Sequence, residues 1–471
     1  MTSAVLTDRA APRPQPVALR VGLDPLRLLL ALLIIMTVSR IHQRIHILAM
    51  MRPALVLVVL TAVFAFLSPR LLSTSGLLRS KEARVIVAFG LLACIATPFG
   101  TSFGNSAKFI LEDYSKVLIL ALLLIAGIRD ARDLYTLVWS YVVACGILSW
   151  LSIFVFGLSK AGSSAMRLSD LDTWDANDIG VVLMVGLALT LLVIQSSKGH
   201  RRIAGLVIMV GIGMTIARSG SRGAFLGFLA TGAALLVLAS SVPVANRFAL
   251  VLVTAVALVL AAPEGYWDQM LTMLNPKEDY NWSATNGRRE LTLRGIGYML
   301  NYPVFGLGID NFHRAECIDV LSDKVKFHQS GTGLRCTPPH NSTLQAGAEL
   351  GFTGLTLWFM LLFGGIRRML RLRRQLPAEW RYGDEEERFL HHCTTYFAVA
   401  MVGFVVTSFF VTFAWIDIVY ILAAFMAGLQ VSVAGRLAQG GSQPQQQQVV
   451  MPSAGRRGRQ VAYRRSASLA R

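Results

Sequence analysis

Apolar runs of roughly 15 to 22 residues recur along the whole chain, and they limit the folds open to it more than any other feature. A hydrocarbon core about 30 Å thick is crossed by a helix of about 20 apolar residues. Inside lipid the backbone must satisfy its own hydrogen bonds, which a helix does. A water-soluble core has no need of so many such runs. Hydrophobic residues make up 54% of the 471 residues, and the mean hydropathy is +0.54. The expected fold is therefore all-α, a polytopic membrane protein with about twelve transmembrane helices. They fall roughly at 22–39, 50–68, 85–97, 116–128, 134–156, 178–196, 203–218, 223–241, 247–262, 346–366, 389–409 and 415–434. Residues 1–20 are polar and proline-rich and no small-residue cleavage site follows the first run, so no cleavable signal peptide is expected.

Lysine and arginine then orient the bundle, because they accumulate in cytoplasmic loops. With both termini inside, those loops carry Arg79 and Lys81, Arg129 and Arg132, Arg201 and Arg202, and the cluster from Arg367 to Arg374. The one basic external connection is the first, with Arg40 and Arg44. The net charge of +18 is thus mostly a topology signal and a contact with anionic membrane lipid. Nucleic acid is not an expected partner, since these charges sit in short loops without interleaved aromatics. Residues 1–21 read as a cytoplasmic tail, 22–174 as an N-terminal transmembrane region, and 175–434 as a catalytic region with a large external loop at 263–345. The glutamine-rich, basic stretch 435–471 reads as a disordered cytoplasmic tail.

Three external segments carry the candidate chemistry. The turn Arg218-Ser219-Gly220-Ser221-Arg222-Gly223 joins two apolar runs. Arg218 reads either as an interfacial side chain or as part of a site. Arg222 stands where the next helix begins, and its glycine and serine neighbours allow a ligand close to the backbone. Its guanidinium fork suits phosphate. In the large loop, Gly287-Arg288-Arg289 opens a helix predicted to run to about Asn301. Adjacent helical residues diverge by about 100°, so only one of Arg288 and Arg289 can point at a given ligand. The third segment is Pro338-Pro339-His340-Asn341, where two prolines fix the approach to a histidine at a loop-to-span junction. Histidine is the side chain most easily poised as a base near neutral pH. Asp170 and Asp172 in the 157–177 loop have the Asp-x-Asp form of some metal sites, although such aspartates more often form caps and turns. Cys317 and Cys336 share the external loop, and a disulfide between them would fix the segment leading to His340. Lys108, Glu112, Asp113 and Lys116 could contact sugar or simply line an interfacial helix.

Taken together, Ser219-Gly220-Ser221-Arg222-Gly223-Ala224, Gly287-Arg288 with Asn301-Tyr302-Pro303-Val304-Phe305-Gly306-Leu307-Gly308, and Pro339-His340-Asn341 with Glu349-Leu350-Gly351 resemble the O-antigen ligase and polymerase family. The resemblance covers about residues 175 to 425, with Asn177-Asp178 also family-like. It implies a glycosyltransferase of the bacterial inner membrane whose site faces the periplasm, using a glycan on undecaprenyl pyrophosphate as donor. The implied acceptor is lipid A-core or another glycan. By motif, Arg222 and Arg288 would hold the donor pyrophosphate and His340 would be the general base, with Arg218, Arg289 and Asn341 in support. The implied reaction is inverting and needs no metal and no cofactor. A ligase, a polymerase and a protein glycosyltransferase all share this donor, and nothing in residues 1–170 identifies the acceptor; the single late external loop inclines the reading to a ligase. A transporter is the competing class, against which stands the clustering of polar residues on one face rather than at mid-membrane.

Overall fold

The computed structural model describes residues 24–160, 165–171, 174–239, 243–274, 287–316 and 337–441. Every apolar segment predicted from sequence is helical in it. These helices are α1 (Pro25–Ser39), α2 (Pro53–Leu67), α3 (Lys81–Ala96), α4 (Ser115–Gly127), α5 (Ala131–Phe154), α6 (Ala176–Ser196), α7 (Gly199–Ser219), α8 (Arg222–Leu238) and α9 (Val244–Ala261). After α10 (Arg288–Asn301), which is not apolar, come α11 (Ser342–Gln375), α12 (Glu385–Ser408) and α13 (Asp417–Gly441). Among the described residues eight helices are long and apolar enough to cross a membrane; α1, α2, α4 and α8 are shorter. The chain is a multi-pass membrane protein. Helix α13 continues past position 435 to Gly441, because Leu437, Ala438 and Gln439 still favour helix beyond the apolar stretch.

Local sequence sets the helix starts. Asp24 caps α1 ahead of Pro25, and Asp175 with Asp178 forms a reciprocal capping box at α6. Ser221 caps α8, Asn341 caps α11, and Asp384 with Glu387 boxes α12. Helix α6 is the central post: 89% of its most apolar window is buried, against 22% for α9. Helix α9 turns Phe248, Leu252, Val256 and Leu260 outward, as a lipid-facing helix does.

Two ends of the bundle are chemically distinct. At one end buried carboxylates hold arginines. Asp133 accepts from Arg27 Nε at 2.6 Å and from Arg129 Nε at 2.8 Å, and Glu82 accepts from Arg368 Nε at 2.6 Å. Arg436 pairs with Asp384 and Glu387 at the same end. The opposite end carries a hairpin absent from the sequence reading, β1 (Leu158–Lys160) antiparallel to β2 (Met166–Leu168), with Ser159 opposite Arg167. It packs beside the α7–α8 turn, where a Cβ on Gly220 would come within 3.0 Å of the Arg167 Cβ. That end also carries the candidate residues.

Candidate active site

The connection between α12 and α13, residues 409–416, is where the three predicted motifs meet. Gly223, beside Arg222 at the head of α8, lies so close to it that a Cβ there would stand 2.7 Å from the Phe410 Cβ. The Arg288 guanidinium stacks over the Phe410 ring, 5.4 Å from its centroid. The backbone N–H of His340 donates to Thr412 Oγ1 at 3.2 Å. Two residues further, Ser342 Oγ donates to the Val411 carbonyl and accepts from the Phe413 N–H, both at 2.9 Å. Three motifs spread along the chain from Gly223 to His340 are thus anchored to one short segment.

His340 itself is held in an unusual backbone. Its φ is +47°, in the left-handed region that costs a non-glycine residue about 1–2 kcal/mol. The flanking residues impose it: Pro339 restricts the approach, and Asn341 Oδ1 accepts from the Thr343 and Leu344 N–H groups at 3.0 Å. Asn341 is therefore a helix cap that sets the exit from His340. Burial holds the imidazole below its ordinary pKa; the Arg288 charge pushes the same way and Asp175 opposes it. His340 is neutral at neutral pH and can accept a proton.

The other predicted residues divide. Arg288 turns inward over Phe410 while Arg289 is exposed and 3.9 Å from Glu290, the divergence expected of neighbours on a helix. Arg222 Nη1 donates to Thr272 Oγ1 at 2.9 Å, and its neighbour Gly223 brings the head of the helix against the cluster. Arg218 is turned elsewhere: its Nε donates to the Ser152 carbonyl at 2.9 Å, and its Nη2 to that of Phe156 at 3.4 Å, tying α7 to the end of α5. Asp170 sits at φ +55° in the turn after β2, while Asp172, Cys317 and Cys336 lie outside the described residues. Among the described residues no group of three His, Cys, Asp or Glu side chains could hold a metal ion.

Several site residues escaped sequence reasoning. Helix α11 kinks at Leu350 and Gly351, and the glycine-punctuated stretch 302–312 docks into the kink. Leu307 N–H donates to the Ala348 carbonyl and Phe352 N–H to that of Pro303. Glu349, 2% exposed, gathers the pieces by accepting from Asp310 N–H at 2.9 Å, Phe312 N–H at 3.4 Å and Trp415 Nε1 at 2.6 Å. One buried carboxylate thereby joins the loop that follows Arg288, the helix that follows His340, and the 409–416 segment. Its signal was the Glu349-Leu350-Gly351 triplet, since a glycine inside an apolar helix marks a break. Phe410 and Thr412 gave none, because they lie in a run that reads as plain membrane sequence. Arg40, the basic residue in the wrong loop, stacks 3.8 Å over the Trp174 ring, next to Asp175.

Residues 204–359 match the family model described as O-antigen ligase. This region belongs to the O-antigen ligase family. Arg222, Arg288 and His340 all lie within the matched stretch, whereas the segment on which this O-antigen ligase region converges lies beyond it. No curated protein matches the chain.

Proposed function

We propose that the protein transfers a glycan from undecaprenyl pyrophosphate to a saccharide acceptor at the periplasmic face of the bacterial inner membrane, with the short helices also crossing to make twelve passes. The observation that carries this reading is the convergence of Gly223, Arg288 and His340 on residues 410–412. Pyrophosphate is already a good leaving group, so catalysis chiefly requires neutralising its developing charge, the role assigned to Arg288 and Arg222. His340 takes the proton of the acceptor hydroxyl as that oxygen attacks the anomeric carbon. The bond from that carbon to the pyrophosphate oxygen breaks with its electron pair, on the opposite face, so configuration inverts. The imidazolium then loses its proton to water. No metal enters this scheme. The acceptor is assigned as lipid A-core, a ligase reaction.

A transfer assay with lipid-linked donor and lipid A-core tests the scheme. General-base assistance is typically worth 10²- to 10⁴-fold, so His340→Ala should lower kcat by about that range with little change in donor KM. Arg288→Lys keeps the charge but loses the fork and should cost at least tenfold in kcat/KM, about 1.4 kcal/mol. Near wild-type rates in both variants would overturn the assignment. In a deletion strain, long carrier-linked polymer is the ligase outcome, and single repeat units would instead identify a polymerase.

A further inference from the structure

A cavity of about 400 Å³ adjoins the site without belonging to it. Its wall includes Trp415 and Asp417, which continue the segment bearing Phe410 and Thr412, and Arg40, which stacks on Trp174. Apart from Ile416, the remaining wall comes from α1, the link to α2 that holds His42 and Gln43, α2 itself and the 109–120 stretch, all in the N-terminal region outside the family match. His42 lines the cavity, is only 7% exposed, and its Nδ1 is buried with no hydrogen-bond partner among the described residues. A buried ring nitrogen left without a partner is costly, and a ligand hydroxyl would satisfy it. Burial and the neighbouring Arg40 hold His42 below its ordinary pKa, so it meets a ligand as a neutral imidazole.

The charges in the wall are already balanced. Lys116 Nζ lies 3.4 Å from Asp113 Oδ1, and Arg40 is attracted by Asp417 and Asp178. A phosphate would meet no uncompensated cation there, whereas an uncharged sugar needs the alternating donors and acceptors that such pairs offer. Val58, Leu55 and Val117 give the cavity an apolar side beside Trp415 and Phe109, suited to the C–H face of a sugar ring.

We propose that this cavity binds the uncharged saccharide end of the acceptor, placing it on the far side of the 409–416 segment wall from the pyrophosphate arginines. The proposal rests on the transferase reading above and adds to it the position of the acceptor. It also gives Asp113 and Lys116, two of the four residues that the sequence left between sugar contact and interfacial helix, the former role.

Two measurements on the full chain in lipid nanodiscs separate the two readings. The first is equilibrium binding of core oligosaccharide released from lipid A, with inorganic pyrophosphate as the second probe. The second is the acceptor KM in the transfer assay. His42→Ala and the cavity-filling Ala54→Trp should each weaken oligosaccharide binding and raise acceptor KM about tenfold. Donor KM and pyrophosphate binding should not move, and His42→Gln should recover most of the loss. Unchanged oligosaccharide binding in both variants overturns the proposal, as does a loss of pyrophosphate binding in their place. Oligosaccharide binding that depends on His42 in a chain that transfers no glycan sustains the cavity and overturns the transferase reading instead.

Discussion

At the scale of single residues the proposed chemistry turns on one imidazole and its two charged neighbours. Burial and Arg288 lower the pKa of His340, and Asp175 raises it, with a net fall below the ordinary value of about 6.5. A base must be unprotonated to work, so activity is present above that lowered pKa and is lost as pH falls through it. The acid limb of kcat/KM should therefore lie below pH 6.5, and Arg288→Gln should move it upward. A limb that stays in place in that variant would show that Arg288 does not act on His340. His340 and Arg288 could be read from sequence because proline, glycine and arginine each announce a backbone or charge requirement. Thr412 and Phe410 could not, since a threonine and a phenylalanine in an apolar run look like any membrane residues.

At the scale of elements the decisive device is the kink in α11. Gly351 has φ +68°, and a Cβ there would lie 2.5 Å from the Pro303 carbonyl oxygen. Gly351→Ala should lose about 1–2 kcal/mol to the left-handed backbone alone, with the clash against Pro303 adding to it. The melting temperature in detergent and the transfer rate should both fall, since the loop that follows the Arg288 helix docks there. Gly297→Ala, in α10 with nothing within 4 Å of the added methyl group, supplies the contrast and should hold or gain up to about 1 kcal/mol. The positions of the helices were legible because length and apolarity suffice to define them. Gly351 marks the place of the kink, but what fills it was not legible, because that depends on a loop more than forty residues earlier in the chain offering its carbonyls to the gap.

At the scale of the molecule, the end remote from the site is fastened by ion pairs whose partners come from distant helices. Asp133 is fully buried and holds both Arg27 and Arg129. Asp133→Ala would leave the buried Arg27 without its carboxylate, while Arg129 keeps Asp24 at 3.2 Å, at a cost of about 3–5 kcal/mol, and the melting temperature in detergent should drop accordingly. Transfer measured well below the new midpoint should persist, because the lesion lies at the opposite end from His340. The positive loops had been legible as a topology signal, but the acidic residues that bind some of them had not, since burial of a lone aspartate has no sequence signature. A consequence follows for biosynthesis. His340 and Arg288 are anchored by Thr412 and Phe410, which lie between the last two helices. A chain still being made, or one cut short before α12, carries all three motifs yet no assembled site. On the transferase reading proposed above, the enzyme is in effect switched on by its own completion, and incomplete copies in the membrane would spend no carrier-linked glycan.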